Sequence, residues 1–404
     1  MRAGRVAVVA LVLVLLGVAG WRTLGQLQAE RLAEPAPERA LGWRAHDPQA
    51  LQAIAERQLA AGDVAAAQAT ARRLLAHEPL HGVAYRILAQ VAEQEGDGDV
   101  AALYAIAARR APRDVATRAW LAQHHLTRGD FPAALDQVDR LLRLSPRRAA
   151  SVHPALVQLA QDPGFADALA EALRKDPPWR AGLLAALRHP KTGNPTAAGN
   201  VMQALQKQGG LSQKEYAGWL DSLMAQDRWG EAYARWAADV DKPGGVLPLV
   251  YNGDFERPVL EMGFGWRLRR VPGVLVGFEP APGAEGKAAQ FQFLGRRVPA
   301  AGLEQALLLS PGKYRLSWRQ RADGLRTAVG LQWQLACVGK GGIVGRSAPI
   351  DGTFPWRSAD MELEIPAEGC QGQWLRLVNP VAGGGAQQVA GLLWIDDVKV
   401  SALR

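Results

Sequence analysis

Three hydrophobic patterns follow one another along the chain. Residues 6–21, VAVVALVLVLLGVAGW, carry no charge at all. From residue 48 to about 245 the pattern is helical. Beyond residue 249 it changes to strict alternation. Residues 288–294 place Phe291 and Phe293 on one side and Gln290 and Gln292 on the other. Residues 314–321 set Tyr314, Leu316 and Trp318 against Arg315, Ser317, Arg319 and Arg321. Leu331, Trp333 and Leu335 oppose Gln332 and Gln334, and Met361, Leu363 and Ile365 form a further stripe, as do Leu375 and Leu377. Period-two strands separated by Gly/Pro turns predict an antiparallel β-sandwich. The predicted fold is therefore multidomain: an α-solenoid of helical repeats, then the sandwich over residues 249–404. A length of 404 residues accommodates two or three domains.

The uncharged run lies between a signal-peptide core and a full membrane span of about 20 residues. Arg2 and Arg5 precede it and place the N-terminus in the cytoplasm. Residues 1–5 then form the cytoplasmic end and residues 6–24 a signal anchor, with Trp21 at the outer interface. The expected location is the bacterial inner membrane, single-pass, with the bulk of the chain in the periplasm. Cleavage after Gly20 is the alternative and would release a secreted or periplasmic product. Residues 25–47, containing Glu34-Pro35-Ala36-Pro37-Glu38, are expected to be a linker.

Within the helical part, Gly62-Asp63, Gly96-Asp97 and Gly129-Asp130 recur at spacings of 34 and 33 residues. Each glycine is followed 16 or 17 residues later by Pro79, Pro112 or Pro146. Ala67, Ala101 and Ala134 fall five positions after the glycines, and Ala55, Ala89 and Ala122 seven before. Turn glycine, small packing residues and terminal proline resemble the tetratricopeptide repeat over residues 48–147. Residues 148–245 read as degenerate helical hairpins, broken at Pro177-Pro178 and at residues 191–195, with Asp227 to Tyr233 similar to the start of a repeat's second helix. The resemblance implies a partner protein on the concave face. His124, His125, Arg118 and Arg128 could line it, or could be ordinary solvated helix faces.

Lys242-Pro243-Gly244-Gly245 marks the expected boundary to the sandwich. Asn252-Gly253-Asp254-Phe255-Glu256 opens that domain, Gly265-Trp266 follows, Pro311-Gly312-Lys313-Tyr314 turns into a strand, and Trp394-Ile395-Asp396-Asp397-Val398 nearly closes it. This framing resembles the jelly roll of bacterial carbohydrate-binding modules. The resemblance implies that first and last strands pair and that Glu256 and Asp396, with Asp254 and Asp397 beside them, hold a structural Ca²⁺ together with backbone carbonyls. Hard oxygen donors suit that ion. The alternative is solvated carboxylates, or hydrogen bonds to turn amides. A glycan site is expected among Gln290, Gln292, Arg319, Arg321, Gln332, Gln334, Trp374 and Arg376, since Gln and Arg offer fixed donor geometry to hydroxyls or carboxylates. Whether these strands share a sheet is open. Trp266, Trp318, Trp333 and Trp394 alternate with apolar residues and are expected in the core. In an exported chain the two cysteines, Cys337 and Cys370, are expected to form a disulfide.

The formal charge of +8 comes mostly from scattered Arg, with no basic block and no nucleic-acid fingerprint. Nucleic acid is not an expected partner, and the charge favours anionic partners such as lipid headgroups or acidic polymers. No nucleophile elbow, H-E-x-x-H or phosphate loop occurs, and Gly339-Lys340-Gly341-Gly342 reads as a turn between strands. Asp360, Glu362 and Glu364 alternate along one strand face and read as an exposed edge rather than a glycosidase pair. The expected function is non-catalytic: a membrane-anchored periplasmic scaffold whose repeats bind a partner protein and whose sandwich binds a glycan. Tetratricopeptide proteins of this layout resemble accessory subunits of polysaccharide assembly and export, which implies exopolysaccharide handling. A pure protein-interaction scaffold with a structural sandwich is the alternative, and a glycosidase the third reading.

Overall fold

The computed structural model describes residues 2–189, 191–240, 245–283, 285–380 and 387–403. The chain forms two compact units, Met1–Gly210 and Leu211–Arg404.

The first unit is helical. Helix α1 (Arg2–Leu32) is long and apolar enough over Leu11–Leu32 to cross a membrane, and α2 (Pro37–Trp43) folds back against it. The expected linker over residues 25–47 is therefore mostly helix, because Ala29, Ala33 and Ala40 have a core to bury in. Three hairpins follow: α3 (Pro48–Ala60) with α4 (Val64–His77), α5 (Gly82–Glu95) with α6 (Val100–Arg110), and α7 (Val115–Thr127) with α8 (Phe131–Leu144). Gly62, Gly96 and Gly129 adopt positive φ at the turns, a conformation that costs glycine least. Asp63, Asp99 and Asp130 cap the second helices by accepting from Ala66, Ala102 and Ala133 amides. In the middle repeat the cap is thus Asp99, not Asp97. The longer turn shifts the register, leaving Ala101 half-buried while Ala67 and Ala134 are buried. Ala55, Ala89 and Ala122 are buried where paired helices approach. Pro79, Pro112 and Pro146 each stand just beyond a helix end, where no further amide is available to extend it. Helices α9 (Ala149–Leu159), α10 (Pro163–Arg174), α11 (Arg180–Leu187) and α12 (Pro195–Lys207) complete the unit. Arg180 binds the Leu173 and Gly210 carbonyls there, each at 2.6 Å.

The second unit contains α13 (Gln213–Ala225), α14 (Trp229–Asp239) and two five-stranded antiparallel sheets. The first sheet runs β1 (Trp266–Leu268), β4 (Ala300–Leu307), β9 (Gln373–Val378), β6 (Gln332–Cys337), β7 (Ile343–Arg346). The second runs β2 (Val274–Pro280), β3 (Lys287–Val298), β10 (Gln387–Ala402), β5 (Gly312–Arg326), β8 (Gly352–Ile365). Their inner faces enclose a core that includes Phe291, Trp318, Trp333, Leu375 and Ile395. A disulfide joins Cys337, at the end of β6, to Cys370 just before β9.

Two sequence expectations change here. The compact units divide between Gly210 and Leu211, not at residues 245–249, so α13 and α14 belong with the sandwich; Lys242, Pro243 and Gly244 lie outside the described residues. The physical reason is an aromatic block. Trp229 packs edge-on to Trp374 at 6.0 Å and to Phe264 at 5.9 Å, and Trp236 lies 5.3 Å from Tyr251. Asp221 on α13 pairs with Arg267 on β1 at 2.8 Å. The opening segment is likewise a turn rather than a strand. The two ends still meet: the Val398 amide donates to the Gly253 carbonyl (2.9 Å), with no room there for a Cβ.

Candidate functional site

The eight polar residues singled out from the sequence divide equally between the two sheets. Gln332 and Gln334 on β6 and Trp374 and Arg376 on β9 belong to the first sheet. The Arg267 and Arg376 guanidinium groups lie 5.1 and 5.3 Å from the Trp374 ring, which forms a T-shaped pair with Trp229. Arg376 donates to Glu304 (2.9 Å), whose other oxygen accepts from Arg269 (2.6 Å). Glu304 is buried, and two arginines compensate its charge as an enclosed carboxylate requires. Trp374 is thus engaged by Trp229 of α14, and Arg376 by Glu304.

Gln290, Gln292, Arg319 and Arg321 come together on the outer face of the second sheet. The ladder aligns Gly277, Gln290, Trp394 and Arg321 in one row across β2, β3, β10 and β5. The next row is Leu275, Gln292, Leu392 and Asp323. On the other side Asp396 pairs in register with Arg319, which pairs with Ser358 on β8. Trp394 therefore lies outside the core: Leu393 and Ile395 point inward, and alternation turns Trp394 outward to a separate cluster with Ala281, Ala288, Trp356 and Leu392. All four expected core tryptophans are buried, Trp266, Trp318 and Trp333 between the sheets and Trp394 in the smaller outer cluster.

The arginines lie on the indoles of this face. The Arg321 guanidinium is 5.4 Å from the Trp394 ring and Arg319 is 5.3 Å from Trp356. Arg321 and the Trp356 indole N–H both donate to the Pro282 carbonyl, at 2.7 and 2.9 Å. Trp394 is only 5% exposed under this cover, whereas Gln292 is exposed and Gln290, Arg319, Arg321 and Trp356 are half-buried. The surface offered is a set of planar donors held in place by aromatic stacking. Trp356 was not among the sequence candidates.

Beside this face lies the closure of the chain. Asp396 is buried, and burial pushes its carboxyl up to about 6; the Asp397 amide bond and Arg319 oppose the shift, while the charges of Asp397 and Asp254 add to it. Glu256 accepts from the Lys287 amide at 2.6 Å. Among the described residues no three His, Cys, Asp or Glu side chains gather as metal ligands. Asp360 and Glu362 form ion pairs with Arg315 at 3.6 and 2.9 Å on the exposed side of β8, as an edge strand would.

In the helical unit Arg118 is buried, binding Gln137 and the Ala108 and Pro112 carbonyls, so it is a packing residue. His124 instead ends an aromatic ladder, 4.8 Å from Trp120, which stacks on Tyr104 at 3.9 Å. The Trp120 indole donates to Glu93. Burial holds the His124 imidazole below its usual range, with Arg128 and His125 adding to the effect. His125 lies 3.5 Å from Asp130, and Arg128 is exposed at the α7–α8 turn.

No protein-family model matches the chain, and no curated protein matches it significantly. Solved structures similar to it include a family 4 carbohydrate-binding module, with 15% identity and TM-score 0.29 over 38% of this chain and 99% of that one. A family 61 carbohydrate-binding module in complex with β-1,4-galactotriose has 17% identity and TM-score 0.27, over 39% of this chain and 100% of its own. A thermophilic TPR protein of Thermus thermophilus has 21% identity and TM-score 0.24, over 51% of this chain and 98% of that one. No residue role is carried over from any of them.

Proposed function

We propose that this chain is a non-catalytic, membrane-anchored scaffold whose sandwich binds a glycan on the outer face of β2-β3-β10-β5-β8. The observation that carries the reading is the cross-strand cluster of Gln290, Gln292, Arg319 and Arg321 around Trp394 and Trp356. Forked donors on a rigid sheet suit vicinal hydroxyls and sugar carboxylates, and an indole face suits the apolar face of a pyranose. The first sheet is a poorer candidate, since Trp374 and Arg376 already hold α14 and Glu304. We assign α1 as an anchor that leaves the remainder in the periplasm, the helical hairpins as the partner-protein site, with Trp120 and His124 as its contact, and exopolysaccharide handling as the setting.

Affinity electrophoresis of the full-length protein through gels containing neutral or acidic polysaccharides tests the central part. Retardation is expected with at least one polymer, and Arg321→Ala with Gln292→Ala should abolish it. Gln334→Ala on the first sheet should leave it intact. No retardation by any polymer would leave the pure protein scaffold as the better reading, and release of new reducing ends would contradict the non-catalytic assignment.

The closure would take a cation in the same reading. Asp396 and Glu256 would hold Ca²⁺, the buried carboxylate supplying charge and main-chain carbonyls the rest of a shell of six or more oxygens. Its donors are all oxygen, as that ion requires. A chelator should then lower the melting temperature of the wild type and not of Asp396→Asn; an unchanged wild-type value would rule out the ion.

A further inference from the structure

The connections of the helical unit differ in charge. Turns within repeats expose mainly acids: Asp63, then Glu95, Asp97 and Asp99, then Asp130 beside Arg128. Connections between repeats expose mainly arginines: Arg44 after α2, Arg109, Arg110 and Arg113 around the α6–α7 connection, and Arg147 and Arg148 after α8, with Glu78 an exposed acid after α4. Favourable interaction with a helix C-terminus accounts for Arg109 and Arg110. It does not account for Arg113, Arg147 and Arg148, which lie beyond the ends of α6 and α8. A large apolar side chain is also exposed at three of these helix ends: Trp43 (49%), Leu80 (63%) and Leu144 (38%).

Contacts place the connections after α2, α4 and α6 along one edge. His46, after α2, stacks on His77 at the end of α4 at 3.7 Å, and Arg73 donates to the Ala45 carbonyl at 2.7 Å. Gly82, opening α5, sits so close to Ala111 after α6 that a Cβ would collide. Within the α6–α7 connection itself, Arg118 on α7 holds the Ala108 and Pro112 carbonyls. This row begins at Trp43, whose ring lies 6.1 Å from Trp21, the last residue of the uncharged run. Because α2 folds back on α1, the first inter-repeat connection stands level with the end of the membrane span. A bilayer that takes up residues 6–21 has its headgroup layer at Trp21 and Trp43, the depth at which indoles settle.

We propose that the inter-repeat edge of the helical unit rests on the bilayer surface. Its arginines meet anionic lipid headgroups, Trp43, Leu80 and Leu144 enter the interface, and the acidic turns face away. The combination of basic and apolar residues is what an interfacial surface requires, and contact with the end of the span supplies the proximity. A soluble acidic partner would account for the arginines but not for the paired indoles at the membrane end. The proposal rests on α1 being an anchor.

Both native cysteines are in the disulfide, so one introduced cysteine is the only free thiol. Ala76→Cys on the last turn of α4 and Ala61→Cys at a within-repeat turn, each labelled with an environment-sensitive fluorophore, are compared in the full-length protein in nanodiscs. One disc contains phosphatidylcholine alone and the other adds phosphatidylglycerol. The label at 76 should shift to the blue with phosphatidylglycerol and lose that shift in 1 M salt, where screening falls to about 3 Å. The label at 61 should not respond. Charge reversal at Arg109, Arg110 and Arg113, or separately at Arg147 and Arg148, should reduce the shift. Equal emission in both discs, or equal responses of both labels, would overturn the proposal. So would a response at 76 to soluble polyglutamate with none to phosphatidylglycerol, which would point to a soluble partner. Failure to co-elute with discs would remove the anchor reading and this proposal together, whereas co-elution with silent labels would remove this proposal alone.

Discussion

Asp396 couples the closure of the sandwich to pH. Its carboxyl is raised to about 6 by burial, so the folded state holds a proton that the unfolded chain releases near pH 4. The associated stability is fully present below the unfolded value and is lost as pH rises through about 6. The loss is on the order of 3 kcal/mol. In chelator, Asp396→Asn should match the wild type in melting temperature near pH 4 and exceed it increasingly up to about pH 6, then stay level. Parallel melting curves across that range would remove the assigned shift. The variant retains an acceptor for the Asp397 amide, so local geometry is preserved.

The elements of the sandwich were legible where alternation is clean. Gln290 and Gln292 flank Phe291, and Arg319 and Arg321 stand opposite the Tyr314, Leu316 and Trp318 stripe, so their outward direction follows from the sequence. Trp394 was not legible, because Leu392-Leu393-Trp394-Ile395 is a continuous apolar run and hides its parity. The outward polar neighbour Asp396, two positions on, was the available signal. Trp356 was hidden differently, since the β5–β8 register shifts between Gln320 and Ala322, beside its strand segment. The α13–α14 pair shows the same limit: Trp229 and Trp236 look like repeat residues until Gly372, Phe264 and Tyr251 supply their partners. Trp229 is 3% exposed, so Trp229→Ala should cost about 3–5 kcal/mol. Gly372→Ala should also destabilise, because its Cβ would run into the Trp229 ring. Near-UV circular dichroism during thermal unfolding checks both, and wild-type midpoints would show that α14 does not dock on the sheet.

For the whole molecule, the sequence revealed the order of parts but not their limits. Repeat glycines and prolines mark local turns, which depend on neighbours a few residues away. The division at Gly210 depends on aromatic contacts between residues far apart in the chain, and periodicity carries no record of those. The proposed glycan face posed the same difficulty, since four of the eight candidates lie on the opposite sheet and sheet membership is a long-range property. The glycan is proposed to lie on the second sheet and not on the first. Amide hydrogen exchange of the full-length protein, with and without a polysaccharide that retards it, tests that place directly. Slower exchange is predicted in peptides from 287–298, 312–326 and 387–402, with none at 332–337 or 373–378. Protection confined to the latter two segments would contradict the assignment.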